Sequence, residues 1–428
     1  MGAGNLLVNG DFPPRSDGGV PSHWEIWTPA WENACCDIRS TADGLVMSSP
    51  NEPHGVGGVD QTVSSIRGGQ AYKVSVEFEA SGVSSPVRSL LARVGWLAEG
   101  KALHPAGEFV DGLAMDGDAG RFEDVFVAPE EADGVRVSLE AKWLMGGSVT
   151  WKVARLVETE APAPRPVTIA TVYYRPRDST PERNIELYCG HIDDAGQMGA
   201  DIVCLPEGMT VIGTGLDYGQ SAQPIPGPAT ERLGAAAKRN GLWVVACFNE
   251  VDGPRLYNTA VLLDRDGRIA GKYRKVHLPR EEWRQGITPG DSYPVFDTDF
   301  GRIAMQICHD YFFPEAETAF ALAGAEIIFA PTWGTTFKDR EGRVQGENMF
   351  RVRARDNGVY MVPSVFDGNS LIVDPLGRVL ASSDGEDGVF TAEVDLNSRD
   401  PLWWVGDWRA LAPRHRMPET YGTLTEST

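Results

Sequence analysis

From the amino terminus to about residue 158, apolar side chains recur at every second position. Tyr72, Val74, Val76 and Phe78 fall on one side of an extended chain, and Lys73, Ser75, Glu77 and Glu79 on the other. Val135, Val137, Leu139, Ala141 and Trp143 repeat the alternation against Arg136, Ser138, Glu140 and Lys142. Strands of this half-buried kind, separated by Gly- and Ser-rich turns and lacking a long helical period, predict an antiparallel β-sandwich over residues 1–158. The Pro-rich stretch 159–166 reads as a stiff linker.

Beyond it the pattern changes. Residues 167–172 form an apolar run, and Ile185, Tyr188, Ile192 and Ala195 are spaced as one face of a helix over 184–198. A strand follows from Asp201. A second helix is predicted over 230–240, capped by Thr230 with Gly241 just past its end, and leads into the apolar run 242–247. Strands alternating with helices predict a layered α/β domain over 167–428. Residues 256–263 and 269–273 flank Asp264-Arg265-Asp266-Gly267, a hairpin signal, so the sheet is expected to be mixed. Another helix is expected to start at Phe313-Pro314-Glu315.

The length of 428 residues agrees with two domains. A net charge of -21 offers nothing to offset phosphate repulsion and argues against a nucleic-acid partner. No apolar run approaches the roughly 20 residues that span a bilayer, so no membrane partner is expected. Met1-Gly2-Ala3-Gly4-Asn5 lacks the basic and apolar regions of a signal peptide, and Leu6 stands where a myristoylation motif has Ser or Thr. Six scattered cysteines do not form a disulfide framework. Cys204 and Cys247 read as buried small apolar residues and Cys35-Cys36 as free loop thiols, which together favour a reducing, cytoplasmic setting. Seven separated histidines show no metal-ligand spacing, and Asp116-Gly117-Asp118 is too short for an EF-hand loop. Without a Walker loop, a dinucleotide fingerprint or a G-x-S-x-G turn, no cofactor is expected.

Three predicted strand ends carry candidate reactive groups. Leu205-Pro206-Glu207 ends in an acid and Tyr273-Arg274-Lys275 in an ammonium; Ile307-Cys308-His309-Asp310 brings a thiol to the end of a predicted strand. A cysteine attacks as thiolate and needs a base or a positive charge beside it. A carboxylate can take that proton and later activate water, and an ammonium stabilises both the thiolate and an oxyanion. Taken singly, each also has a structural reading: a solvated strand end, a surface lysine, a core cysteine. A Cys308–His309 dyad is disfavoured, because neighbours along a strand point to opposite faces.

Leu205-Pro206-Glu207, Tyr273-Arg274-Lys275-Val276-His277-Leu278-Pro279 and Ile307-Cys308-His309-Asp310-Tyr311-Phe312-Phe313-Pro314-Glu315 resemble, in order, the three signature blocks of the carbon–nitrogen hydrolase (nitrilase) superfamily. The resemblance spans about 167 to 415. It implies a four-layer αββα sandwich, a homodimer or larger homo-oligomer, and a small-molecule amide as substrate. It also implies a catalytic Glu207, Lys275 and Cys308, with the His309 backbone N–H as a second oxyanion donor. A further catalytic glutamate is implied shortly after the lysine. The block Glu282-Trp283-Arg284-Gln285-Gly286 matches better from Glu282 than from Glu281. Trp333, in Pro331-Thr332-Trp333, resembles a wall of the acyl pocket and is also readable as core, while the segment at Arg353, Asp356 and Asn357 resembles a structural helix.

His309-Asp310 after the cysteine is the amidase-like form rather than the nitrilase Trp-Glu. Tyr311, Phe312 and Phe313 stand where carbamoyl-amino-acid hydrolases tend to carry arginines. The expected reaction is therefore cleavage of a linear, non-peptide amide through a Cys acyl-enzyme. A nitrilase or N-carbamoyl hydrolase of the same superfamily is the alternative. Asn5-Leu6-Leu7-Val8-Asn9-Gly10-Asp11-Phe12 and Gly19-Val20-Pro21-Ser22-His23-Trp24 resemble the opening of a galactose-binding-like jelly roll of the carbohydrate-binding-module type. That resemblance implies an accessory domain with Trp24 in its core and Trp27 and Trp31 as candidates to stack on a glycan. Its extreme form is a glycan-binding protein with an inert hydrolase domain.

Overall fold

The computed structural model describes residues 4–49, 54–342, 345–399 and 401–426; Met1–Ala3, part of the segment read for a leader or a lipid anchor, lie outside the described residues. The chain divides into two compact units, Met1–Ala163 with Pro401–Thr428, and Pro164–Asp400. No helix among the described residues is long and apolar enough to cross a membrane.

The first unit is built on two six-stranded antiparallel sheets. One runs in the order Glu25–Trp27, Val56–Val63, Gly134–Lys142, Leu90–Ala98, Lys101–Ala102, with Glu108–Phe109 also paired to Leu90–Ala98. The other runs Asp37–Thr41, Gly44–Ser48, Ser148–Thr159, Ala71–Ser81, Ala119–Val127, Gly112–Asp116. Val59, Val94 and Val137 of the first share one core with Leu45, Val74, Phe122 and Trp151 of the second. The period-two reading holds at Tyr72, Val74, Val76 and Phe78, all buried. It fails at Trp143, which lies past the strand end at Lys142 with φ +54° and is exposed beneath the Lys142 ammonium. Asp116-Gly117-Asp118 forms the turn of a hairpin between Gly112–Asp116 and Ala119–Val127, with Gly117 at φ +60°.

Two boundaries differ from those expected. Strand Ser148–Thr159 takes in the start of the predicted linker and strand Pro166–Tyr173 takes in its end, because both edges find ladder partners. The residues from Pro401 on belong to the first unit, not to the α/β unit. Ala410 and Leu411 of the helix Trp408–His415 bury against Leu91 and Phe109. The buried Arg414 guanidinium lies over the Phe109 ring and reaches Asp111 at 2.6 Å. Such apolar and charged anchoring outweighs sequence proximity to the second unit.

The second unit has two six-stranded mixed sheets. One runs Ile269–Arg274, Arg255–Leu263, Trp243–Asp252, Ile202–Cys204, Pro166–Tyr173, Gly388–Asp395. The other runs Val295–Asp297, Arg302–Met305, Ile327–Pro331, Tyr360–Ser364, Leu371–Val373, Val379–Ser382. Alternation along Pro166–Tyr173 divides its side chains between two cores. Val167 and Ile169 join a core shared with Met305, Phe329 and Met361 of the other sheet. Ala170 and Val172 join Ile185, Tyr188, Ile192 and Leu233 from the helices Pro181–Gln197 and Pro228–Asn240. Pro181 begins the first of these, capped by the Thr180 hydroxyl. The second starts at Pro228 with Gly227 as its cap residue; Thr230, expected as the cap, is inside the helix and its hydroxyl bonds back to the Gly227 N–H and C=O. The hairpin turns at Gly267, φ +79°, and the helix after Phe313 runs Pro314–Leu322.

Candidate active site

The strand Ile202–Cys204 stops short of Glu207. Leu205 N–H still bonds to Val245 C=O, and Gly208 then turns the chain at φ +66°, leaving the Glu207 side chain pointing into a closed interior. Lys275 follows the strand Ile269–Arg274 by one residue, and its backbone N–H is held by the Asn258 carbonyl. The ammonium is almost wholly buried and donates to Glu207 Oε1 at 2.9 Å and to Glu282 Oε1 at 2.6 Å. Glu281, one residue before, is exposed and pairs with Arg280. The short helix Arg280–Trp283 thus turns one glutamate inward and the other to solvent.

A fourth side chain closes this cluster. Asn258 Nδ2 donates to Glu207 Oε1 at 2.8 Å and to Glu282 Oε1 at 3.2 Å, while Asn258 Oδ1 accepts from the Cys247 thiol at 3.3 Å. Cys247 is buried as expected, and it also orients the carboxamide. Neither function was read from the sequence; the available signal was a carboxamide at Asn258 inside an otherwise apolar strand. Both carboxylates keep one enclosed oxygen, Glu207 Oε2 and Glu282 Oε2, with no hydrogen-bond partner among the described residues. Burial pushes the Glu282 carboxyl up to about 7, against the pull of Lys275. Burial works to lower Lys275, but the charges of Glu207, Cys308 and Glu282 prevail and hold it well above the usual lysine range.

Cys308 does not end a strand. Pairing stops at Met305, and Cys308 opens the 3-10 turn Cys308–Phe312 with φ +41°. A non-glycine residue in that region carries strain on the order of 1–3 kcal/mol, sustained only by well-fixed surroundings. The strand-alternation argument about His309 therefore does not apply, since the pair lies in the turn. The residue as a whole is partly exposed, while its thiol is enclosed. Its pKa is raised first by burial and then by the Glu207 charge, while the Lys275 ammonium and the Trp333 backbone N–H pull it down. The His309 ring is half-buried against Phe312 and Phe313, at 5.2 and 5.6 Å between centroids, and burial lowers its pKa. Trp333 lies past the strand Ile327–Pro331, 38% exposed, with its ring 4.7 Å from that of Phe366.

Asp310, fully buried, joins the turn to the lysine segment. Its Oδ2 accepts from Tyr273 Oη at 2.8 Å and from Ile307 N–H at 3.0 Å; its Oδ1 accepts from His277 N–H at 2.9 Å and lies 2.9 Å from His277 Nδ1. One carboxylate thus fixes both sides of the Lys275–Cys308 pair. Arg353 stands apart from this site, 3.7 Å from the buried Glu317. Among the described residues no group of His, Cys, Asp or Glu is arranged to hold a metal ion.

The carbon–nitrogen hydrolase family model matches residues 168–402. The chain belongs to the carbon–nitrogen hydrolase family. It is 32% identical to omega-amidase NIT2 of Xenopus tropicalis over 232 residues, 50% of this chain and 83% of that protein. It is 35% identical to a nitrilase of Pyrococcus abyssi over 248 residues, 54% of this chain and 90% of that protein. A solved mutant of the amidase from Nesterenkonia sp. AN1, in which acrylamide has added to the active-site cysteine, superposes with a TM-score of 0.50 at 25% identity. That alignment covers 60% of this chain and 99% of the amidase. The α/β unit thus has the nitrilase-type fold, and this family member is a hydrolase of the amidase type.

Proposed function

We propose that this hydrolase cleaves a linear, non-peptide amide through a thioester on Cys308. Glu207 takes the thiol proton, and the sulfur attacks the amide carbonyl. Lys275 and the His309 backbone N–H stabilise the oxyanion, and Glu207 passes its proton to the departing nitrogen as the C–N bond breaks. Water, deprotonated by Glu207, then attacks the thioester; the acid leaves, and the proton returns to the sulfur. Glu282 and Asn258 hold the lysine and the base in place, and Trp333 lines the acyl side. The observation that carries this reading is the buried Lys275 ammonium clamped between Glu207 and Glu282.

The same reading takes the two sheets and their helices as a four-layer αββα sandwich. It also takes the protein as a homodimer, for which Leu322 and Val352, exposed on two helices, offer apolar surface. Residues 1–158 are read as a jelly-roll accessory domain.

Mass spectrometry of the intact protein incubated with small primary amides and, in parallel, nitriles tests the chemistry. The expected result is an acyl adduct on Cys308 and ammonia release from the amides. Cys308→Ala should show neither, with turnover reduced by about ten-thousand-fold or more and an unchanged circular dichroism spectrum. Wild-type turnover by that variant would refute the proposal.

A further inference from the structure

Beyond the clustered glutamates, lysine and carboxamide, one hydroxyl of the second unit is held against the same site. Asn249 and Asn258 stand directly opposite one another on the antiparallel strands Trp243–Asp252 and Arg255–Leu263. Cross-strand partners share a face of the sheet, so Asn249 lies on the face from which Asn258 holds Glu207 and Glu282. Asn249, buried, donates from Nδ2 to the Ser221 hydroxyl at 3.2 Å. Ser221 Oγ donates in turn to the Tyr218 carbonyl at 3.2 Å, within the short helix Tyr218–Ser221. From another direction Gln285 Oε1 accepts the Tyr218 N–H at 3.3 Å, and the Gln285 N–H bonds to the Glu282 carbonyl at 3.0 Å. Asp217 and Gln220 close a capping box around the same turn. Tyr218 is thus pinned between the Asn258 face and the segment that carries Glu282.

The Tyr218 side chain is half-buried, and the charges of Glu282, Glu207, Lys275 and Cys308 all act on its hydroxyl, those of Glu282 and Glu207 most strongly. Such interactions fall with distance, which puts the hydroxyl on the carboxylate side of the site. Burial and the two carboxylates push its pKa up to about 12, so the oxygen keeps its proton at neutral pH. It makes no hydrogen bond among the described residues. It is also not enclosed, in contrast to the bare oxygens of Glu207 and Glu282, so a small molecule can reach it. Trp333 serves the sulfur side, where its backbone N–H reaches the Cys308 thiol. An acyl carbon must bond to that sulfur, and the nitrogen it releases must face Glu207 to receive a proton. A free hydroxyl on the carboxylate side therefore meets the nitrogen rather than the acyl chain. Its oxygen can accept one amide N–H and keep the nitrogen lone pair aimed at Glu207 as the C–N bond breaks. An N-alkyl group in place of that hydrogen removes the bond and sets carbon against the hydroxyl.

We propose that Tyr218 holds the departing nitrogen and selects primary amides, which release ammonia, over N-substituted ones; this rests on the thioester reading above. The test compares the full-length wild type with Tyr218→Phe, which removes only the hydroxyl, on a primary amide and on the N-methyl amide of the same acid. For the primary amide kcat/KM is expected to fall about tenfold or more. For the N-methyl amide it should change little, so the preference for the primary amide narrows by the same factor. Cys308 should react with methyl methanethiosulfonate, a reagent without an amide nitrogen, at the wild-type rate, because Tyr218 acts on substrate and not on the placement of the sulfur. The proposal is overturned if the primary amide keeps its wild-type rate in the variant. It is likewise overturned if both amides slow by one factor, as a structural effect would make them. Either outcome leaves the thioester reading standing when the wild type forms its acyl adduct on Cys308, whereas a wild type without that adduct refutes both.

Discussion

Two buried carboxylate clusters of the second unit draw adjacent residues from one hairpin, Arg255–Leu263 with Ile269–Arg274, and are opposite in character. Glu250 is as deeply buried as Glu207, yet all its acceptor sites are answered. Oε1 accepts from Lys272 at 2.5 Å and Arg274 at 2.9 Å, and Oε2 from Arg274 at 2.9 Å and Thr259 at 2.7 Å. Despite burial, those bonds bring its pKa below the usual carboxylate range. Thr259 and Arg274 serve that cluster; their neighbours Asn258 and Lys275 face the other way and serve the second. There Glu207 and Glu282 share one ammonium and one carboxamide, and each keeps an enclosed oxygen without a side-chain or backbone donor within hydrogen-bond distance among the described residues. A carboxylate with every lone pair occupied is a brace, and one left incomplete in a closed space is poised to handle a proton.

Replacing each glutamate by its amide should separate the two roles most widely. Glu207→Gln keeps the shape and most of the hydrogen bonding but cannot accept the thiol proton. Its kcat/KM for amides is expected to fall by about a thousandfold or more, with no acyl adduct accumulating on Cys308. Glu250→Gln should do the reverse. Removing the charge leaves Lys272 and Arg274 facing a neutral group, and urea unfolding should show a loss of about 3 kcal/mol, while turnover per folded molecule is retained. If the Glu250 variant lost turnover at unchanged stability, the distinction between brace and base would be wrong.

What the sequence disclosed follows the same division. Acid, ammonium and thiol are legible because three family motifs occur in order around them, their places after predicted strands alone leaving each a structural reading, and Glu282 because its block fits better than that of Glu281. The contributions of Asn258 and Cys247 were hidden, since a carboxamide and a small thiol inside a strand acquire meaning only once Glu207 is brought beside them. The Cys308 turn was hidden by its own apolar approach: Ile303 to Ile307 reads as continuous strand, and nothing in a cysteine announces φ +41°. The residues after 401 lack a periodic mark, so the burial of Ala410, Leu411 and Arg414 in the first unit depends on partners about 300 residues earlier.

Asp310 sharpens the comparison at intermediate scale. Its oxygens tie Ile307, Tyr273 and His277 together, so under the proposed mechanism it acts through the placement of Cys308 and Lys275. Asp310→Asn replaces one acceptor by a donor that faces N–H or O–H groups. We expect kcat to fall about ten- to a hundredfold from misplacement alone, with KM little changed. The rate of Cys308 alkylation by iodoacetamide, per folded molecule, should change with it. A general loosening of the fold would lower the melting temperature and leave that rate as it was.

The last comparison concerns Glu282 and appears as a dependence on pH. Below about 4.5 its carboxyl is protonated in both folded and unfolded chains, so it contributes no pH dependence. Between about 4.5 and about 7 the unfolded chain releases the proton and the folded chain keeps it, because burial holds the folded pKa near 7. Folded stability therefore declines as pH rises through that window, by up to about 1.4 kcal/mol per unit from this group, and is level with respect to it above. Glu282→Gln retains an acceptor for Lys275 but has no proton to lose. Stability measured by urea unfolding across pH 4 to 8 should thus fall less steeply in the variant. Glu317, whose buried carboxyl is also pushed up to about 7, contributes the same slope to both proteins and cancels in the difference. Parallel curves would mean that Glu282 is ionised throughout, and that Lys275 neutralises it as fully as Arg274 and Lys272 neutralise Glu250.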